Sequence, residues 1–155
     1  MNFTNNLEEA EKVEKLRNKM LKYILYKKRT EEEVRTKFMS EDNNLVEDAI
    51  QYLKELNYIN DYDYVERSVK EFIALKKLSI KELAYKICQK GVNKNLVDDY
   101  IYNNKELLLN YEISSAKAII LKKNGSTEKN EIKNYLIKKG YLQESINIAF
   151  DDIEN

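Results

Sequence analysis

Apolar residues recur three or four positions apart along most of this chain, which is the spacing of one face of an α-helix. Val46, Ile50 and Leu53 form one such stripe, and Val65 and Val69 begin another. The pattern predicts nine helices, at about residues 7–28, 31–38, 45–56, 62–77, 80–90, 94–108, 113–123, 128–139 and 143–153. The chain has no proline and three glycines, so it lacks most residues that tight hairpin turns require. We therefore predict an all-α fold with no β-sheet.

Polar residues at several predicted helix starts have the spacing of a capping box, in which two residues satisfy each other's backbone amides. Two pairs have this spacing, Thr30 with Glu33 and Ser79 with Glu82. Asn93 or Asn95 can cap the sixth helix in a simpler way. Gly91 and Gly140 stand where a left-handed residue would end the fifth and eighth helices.

The segment from Leu56 to Val65 joins two helical stripes with very little connecting chain. Asp61 can accept a hydrogen bond from an early amide of the helix that follows. Tyr58 and Ile59, just before it, can anchor the turn. We therefore interpret Tyr58, Ile59 and Asp61 as a structural joint between neighbouring groups of helices.

The same order of helices returns with a period of roughly 47 to 49 residues. The segments 86–92 and 135–141 align, as do Leu83 with Ile132 and Val97 with Ile146. The first repeat is about two residues shorter before its third helix. We predict an elongated tandem array of three three-helix repeats: residues 1–60 with an N-terminal arm, 61–110, and 111–155. One such unit has too small a core to stand alone.

Charge alternates with the same period, although the chain has 27 basic and 27 acidic residues in all. The segment 11–40 has ten basic and five acidic residues, whereas 41–66 has one and eight. The same change of sign occurs twice more, so the first two helices of each repeat are basic and the third is acidic. This predicts a basic surface that binds a charged, extended partner, with candidate residues Arg35, Lys37, Arg67, Lys70, Lys81, Lys86 and Lys90. The alternative is solvated helix faces with weak ion pairs.

Nothing in the sequence indicates an enzyme. There is no phosphate-binding glycine loop, no histidine and no cluster of metal ligands, so we expect no catalytic residue, no cofactor and no metal. Cys88 is the single cysteine, lies on an apolar helix face and is interpreted as a small core residue. Because there is no secretory signal and no long apolar run, we expect a soluble, cytoplasmic protein without membrane contact, acting as a monomer.

Several short segments stand in a characteristic order and spacing over residues 16–150: Tyr58-Ile59-Asn60-Asp61, Tyr64-Val65, Ile80-Lys81-Glu82-Leu83, Lys90-Gly91-Val92, Ile132, Leu136, Lys139-Gly140-Tyr141 and Ile146. Together they give this chain a resemblance to the RecX family of regulatory proteins, which modulate the RecA recombinase. It implies a curved all-α protein that lies in the groove of a RecA filament on single-stranded DNA. Such a protein inhibits filament growth and the recombinase, ATPase and co-protease activities.

One segment departs from the family pattern. Family members often have a glycine and basic residues before the second helix of the middle repeat, whereas residues 75–79 here read Leu-Lys-Lys-Leu-Ser. Two other functions stay open from the residues alone. One is a helical-repeat module that binds nucleic acid independently of RecA. A RecA regulator, by comparison, can also bind DNA directly, but only weakly. The other is a general interaction scaffold.

Overall fold

The computed structural model describes residues 3–155, and within that range the chain forms nine α-helices and no β-strand. They are α1 (Phe3–Tyr26), α2 (Glu31–Lys37), α3 (Asn43–Glu55), α4 (Asp61–Leu75), α5 (Ile80–Gln89), α6 (Lys94–Asn103), α7 (Lys105–Lys123), α8 (Lys129–Lys138) and α9 (Gln143–Glu154). The all-α prediction and the number of helices are confirmed for the described residues. The first two residues of the predicted first repeat lie outside them.

Three predicted helix boundaries are wrong, among them the start of α7, which lies at Lys105 rather than near Ile113. α1 begins at Phe3 rather than near Leu7. The sixth helix ends at Asn103, and only Asn104 separates it from α7, so Leu107 and Leu108 belong to α7. The Asn104 side chain donates a hydrogen bond back to the Tyr100 carbonyl at 2.8 Å, which ends α6 without a glycine or proline. That break has no marker in the apolar pattern.

Both predicted capping boxes are present. The Thr30 hydroxyl accepts the Glu33 amide at 3.0 Å while the Glu33 carboxylate accepts the Thr30 amide at 3.1 Å. Ser79 and Glu82 make the same two bonds at 3.1 and 3.0 Å. Of the two candidates before α6, Asn93 is the cap, since its side chain accepts the Asn95 amide. These side chains explain why α2, α5 and α6 begin where they do.

The described chain divides into two compact units. The first comprises the residues up to Tyr64 together with Lys90–Val92, and the second comprises Val65–Gln89 and Asn93–Asn155. The core of the first unit packs α1, α2 and α3 around Leu16, Met20, Ile24, Val34, Phe38, Val46, Ala49, Ile50, Leu53 and Ile59. Within the second unit, α7, α8 and α9 enclose Ile113, Ala116, Ile120, Ile132, Leu136, Tyr141, Ile146, Ala149 and Phe150. The three-repeat domain boundaries remain a prediction.

The prediction that Asp61 caps α4 is wrong. Asp61 is the first residue of that helix, and the Asn60 side chain accepts the Asp63 amide at 3.0 Å in its place. The Asp61 carboxylate instead accepts the amide of Glu31, the first residue of α2, at 2.9 Å. Ile59 is 3% exposed and belongs to the core of the first unit, whereas Tyr58 keeps 46% of its surface exposed. The segment therefore ties the start of α4 to the start of α2.

Candidate functional site

Arg35 is the most heavily paired of the predicted basic residues. Its guanidinium contacts the carboxylates of Glu47 at 2.7 Å, Glu32 at 3.0 Å and Glu31 at 3.1 Å. Hydrogen bonding to Glu47, more than that to Glu31 and Glu32, raises the pKa of the Arg35 guanidinium further above its usual value. Three carboxylates already occupy its donors, so Arg35 joins α2 to α3 and is a poor candidate for contact with a partner.

Two of the carboxylates around Arg35, those of Glu31 and Glu47, have lowered pKa values. Burial would raise the pKa of Glu31, but hydrogen bonds from Lys54 and Arg35 outweigh that effect and lower it. The bond from Arg35 also lowers the pKa of Glu47. Both groups are therefore held in the charged form that pairs with Arg35.

Three other predicted residues have local partners. Lys37 is exposed at the end of α2, where its ammonium lies 5.6 Å from the centre of the Tyr23 ring. Lys70 forms an exposed ion pair with Glu66, one helical turn earlier in α4, at 3.5 Å. Arg67 is also exposed on α4 and has an interaction of its own. Exposed pairs of this kind are weak and can be exchanged for another partner.

The remaining three, Lys81, Lys86 and Lys90, are exposed along and just beyond α5. Among the residues that the structure describes, no carboxylate forms an ion pair with any of the three. Lys86 and Lys90 are four positions apart, so they lie close to the same side of the α5 axis, whereas Lys81 is near the other end. The structure thus separates the predicted set into paired residues on α2 and α4 and unpaired lysines at α5.

Neighbouring repeats are joined by contacts that recur 49 positions later. The Thr30 hydroxyl donates to the Lys90 carbonyl at 2.6 Å, and the Ser79 hydroxyl donates to the Lys139 carbonyl at 2.8 Å. Both hydroxyl residues are fully buried. Each of these hydroxyls also caps its own helix, so a single side chain fixes a helix start and holds the adjoining repeat.

The glycines after α5 and α8 are part of the same joints. Gly91 and Gly140 both have φ +93°, as the sequence predicts for helix ends. A Cβ atom at Gly91 would come within 2.5 Å of the Glu32 Cβ, and one at Gly140 within 2.9 Å of the Lys81 Cδ. Larger residues are therefore excluded both by the left-handed backbone and by the neighbouring repeat.

Glu112 is a buried carboxylate that the sequence reading missed. It has no exposed surface, and its two oxygens accept the amides of Ile80 and Leu142, each at 2.8 Å. These amides stand at the N-terminal ends of α5 and α9, and the N-terminal end of a helix favours negative charge. The preceding residue, Tyr111, exchanges two hydrogen bonds with the backbone of Leu78. Comparing the repeats identifies the signal: Glu112 accepts the Ile80 amide as Asp61 accepts the Glu31 amide, the carboxylates being 51 positions apart and the amides 49.

The second unit also contains an open groove of about 920 Å³ between α5, α6, α7 and the start of α9. Cys88, predicted as a core residue, is only half-buried and lines this groove. Tyr85, another residue of α5 that faces it, is exposed. Among the described residues no group of three or more cysteine and carboxylate side chains is placed to hold a metal ion. In the same range no helix combines the length and apolar character needed to cross a lipid bilayer.

Comparison with curated proteins identifies relatives that share most of this chain. The regulatory protein RecX of Clostridium beijerinckii is 30% identical over 147 residues, which cover 89% of this chain and 68% of that protein. The chain belongs to the RecX family. The RecX protein of Clostridium botulinum strain Alaska E43 is also 30% identical, over 156 residues that cover 89% of this chain and 72% of the relative.

Another RecX protein, from Finegoldia magna, is 29% identical over 133 residues. That alignment covers 78% of this chain, but the chain spans only 63% of the length of the Finegoldia magna relative. No protein-family model matches the chain. The family assignment therefore rests on the curated RecX relatives.

Solved RecX structures have the same fold. The crystal structure of RecX from Lactobacillus salivarius superposes with a TM-score of 0.77 at 24% identity, covering 94% of this chain and 98% of that one. A second crystal structure of a regulatory protein RecX gives 0.79 at 20% identity, with coverage of 97% and 80%. The arrangement of helices is thus that of RecX proteins.

The turn after α4 has a backbone conformation that favours glycine. Lys76 follows the last residue of α4 and has φ +49°. Its amide still donates to the Phe72 carbonyl at 3.3 Å, which closes the last turn of the helix. A lysine therefore occupies a left-handed position at the end of α4, where a glycine would be less strained.

Proposed function

We propose that this chain is a non-catalytic regulator that binds the RecA filament on single-stranded DNA and inhibits its recombinase, ATPase and co-protease activities. Membership of the RecX family supports the proposal, because the relatives are named regulatory proteins. The chain has equal numbers of acidic and basic residues, which suits recruitment by a protein filament better than a search for bare DNA. We further propose that it acts in the cytoplasm as a monomer, with only weak direct binding to DNA.

The observation that carries the proposal is the exposed, unpaired set Lys81, Lys86 and Lys90 at α5. These ammonium groups are available to phosphates or to acidic side chains of the filament without breaking an existing ion pair. Arg35 is different, since a contact with the filament would cost it three carboxylate partners. We therefore assign the main cationic contact to α5, with Lys37, Arg67 and Lys70 as weaker contributors.

The activity is tested with RecA from the same organism, single-stranded DNA and ATP. Substoichiometric amounts of the chain should lower ATP hydrolysis and strand exchange. No effect at equimolar amounts would contradict the proposal. Tight binding to DNA alone at physiological salt, falling steeply as salt rises, would instead support a nucleic-acid-binding module that acts without RecA.

The contact surface is tested by replacing Lys81, Lys86 and Lys90 together with glutamine. We expect weaker filament binding and a shallower dependence of affinity on salt, because three cationic contacts are removed. A control variant with glutamine at Lys15 and Lys22 of α1 and at Lys27, just after that helix, loses the same charge and should bind normally, since all three lysines are exposed. Should both variants bind like the original chain, the α5 lysines are only solvated surface.

A further inference from the structure

The open groove in the second unit presents apolar side chains that no other part of the described chain covers. Three helices and the start of a fourth form it, with Ile80, Ala84, Cys88, Ile101, Leu109 and Leu142 among its walls. Most of these side chains are half-buried, and Leu142 is 51% exposed. Exposed apolar surface collected in one concave place is typical of a binding site.

The first repeat shows that the fold does not require such a groove. Ala84 stands 49 positions after Arg35, and Ile80 stands 49 positions after Glu31. In the first unit this face of α2 carries the ion pairs of Arg35 with Glu31 and Glu47. In the second repeat apolar residues replace that pair, and a cavity remains. The groove thus occurs where the second repeat differs from the first.

The charged side chains at the rim indicate which kind of partner the groove can bind. Glu112 also lines the groove but is fully buried, so it is not part of the rim. The charged side chains around the opening are three basic and three acidic: Lys81, Lys94, Lys105, Asp98, Glu106 and Glu144. Lys94 and Asp98 already pair with each other at 3.4 Å. A rim of balanced charge gives no net attraction for a polyanion, so a phosphate backbone is a poor match for this groove. The complementary occupant is an apolar surface with no large net charge.

The length of the groove favours a helix over a compact ligand. From Ile80 to Cys88 the wall follows α5 for nine residues, and the eight steps between them rise about 12 Å at 1.5 Å per residue. This is a little over two helical turns, enough for apolar side chains at positions i, i+4 and i+7 of a partner helix. Association of this kind is driven by burial of the apolar anchors.

We propose that this groove binds the apolar face of a short helix of the RecA protein in the filament, an inference that rests on the proposed function. This contact differs from the one made by the α5 lysines, because it depends on the burial of apolar surface and not on charge. Its contribution to binding should therefore persist at high salt, where cationic contacts are weakened.

The single cysteine provides a direct test without any substitution. Cys88 lies in the groove wall, so a docked helix should slow its alkylation by N-ethylmaleimide, measured by the intact mass of this chain with and without the RecA filament. Filament binding with unchanged alkylation of Cys88 would overturn the inference. Protection of Cys88 in the purified chain before filament is added would also overturn it, since a second copy or a copurified small molecule would then fill the groove.

Ala84→Arg tests the same groove by filling it. Arginine is the residue that the first repeat carries at the corresponding position, and Asp98 stands where Glu47 pairs with Arg35, so a folded variant is expected. We expect filament binding to weaken about tenfold or more, equally at low and high salt. Asn103→Arg adds the same charge at an exposed position of α6 outside the groove and should bind normally.

The outcomes separate the two proposals. If the original chain does not bind the filament, the proposed function fails and the identity of the occupant fails with it. If the original chain binds and Ala84→Arg binds equally well, the proposed function stands and the groove inference is wrong. Weaker binding of Ala84→Arg with Cys88 protected in the original chain supports both.

Discussion

Glu112 shows how one carboxylate can hold three helices. It lies in α7 and is fully buried. Its carboxylate accepts the amide of Ile80, the first residue of α5, and the amide of Leu142, the cap residue of α9. Backbone amides at helix starts have no partner within their own helix, so burying them requires an acceptor from elsewhere. Both oxygens of Glu112 serve this need at once, which fixes the ends of α5 and α9 against α7.

Glu112→Gln should destabilise the chain, because the amide group can accept only one of the two bonds and turns a donor toward the other. We expect a loss of about 1–3 kcal/mol in the free energy of unfolding, measured with urea. Glu106→Gln changes an exposed residue of the same helix and should have little effect. Equal stability of the two variants would show that a water or a shifted backbone replaces the lost bond.

Asp61 provides a prediction about pH. Burial raises the pKa of its carboxyl, although the bond from the Glu31 amide opposes this. The folded chain therefore binds this proton more readily than the unfolded chain, whose reference pKa is 3.8. The stability contributed by this group is present at low pH and is lost as pH rises through the folded-state pKa.

Asp61→Asn keeps an oxygen that can accept the Glu31 amide but has no charge to bury. We expect the stability of the variant, relative to that of the original chain, to increase as the pH rises from about 3 to about 7. Urea unfolding at several pH values measures this difference, with Asp48→Asn, at an exposed position of α3, as the control. A difference that is constant with pH would contradict the raised pKa.

At the scale of the helices, the turn between α4 and α5 contains the strained end of α4 and the well-capped start of α5. Ser79 caps α5 with both bonds of a capping box, whereas Lys76 ends α4 in the left-handed region. This backbone conformation destabilises the folded chain by about 1 kcal/mol when an L-residue with a long side chain adopts it. Asn57 has a similar φ of +65° after α3, but asparagine tolerates that region better.

Lys76→Gly should therefore raise the free energy of unfolding by up to about 1 kcal/mol, after the greater freedom of glycine in the unfolded chain is included. Asn57→Gly should give a smaller gain. Thermal unfolding of the two variants beside the original chain makes the comparison. If Lys76→Gly were destabilising, the lysine side chain would have a contact that outweighs its backbone strain.

The sequence predicts helices better than it predicts what joins them. Spacing of apolar residues located all nine helices, and Thr30, Ser79, Gly91 and Gly140 marked ends correctly because each acts on its own backbone. Asn60 and Asp61 were confused because both are good capping residues next to each other. The pairing of Arg35 with Glu47 and the groove beside Ala84 depend on which helix faces are adjacent, and local patterns do not contain that information.

Across the whole molecule, joints between repeats follow one plan. Thr30 and Ser79 each cap a helix and donate to a carbonyl of the following repeat, and both are fully buried. In a tandem array, stability comes from each unit and from its contacts with its neighbours. These two hydroxyls contribute to both terms, so their loss should affect more than one helix.

Ser79→Ala and Thr30→Val should each cost about 2 kcal/mol, the sum of a lost cap and a lost buried hydrogen bond. Hydrogen exchange should then rise at the start of the capped helix and also in the loop of the adjoining repeat. Ser126→Ala removes a hydroxyl from an exposed turn and should change neither measurement. Faster exchange confined to the capped helix would show that the bond to the adjoining repeat adds no stability.

The crowded glycines have an evolutionary consequence. Gly91 has no room for a side chain because Glu32 is in the way, and Gly140 is limited in the same manner by Lys81. A substitution at either glycine would need a compensating change at a position distant in sequence, in the preceding repeat. Such a change would not relieve the left-handed backbone, so positions 91 and 140 should remain glycine among RecX sequences.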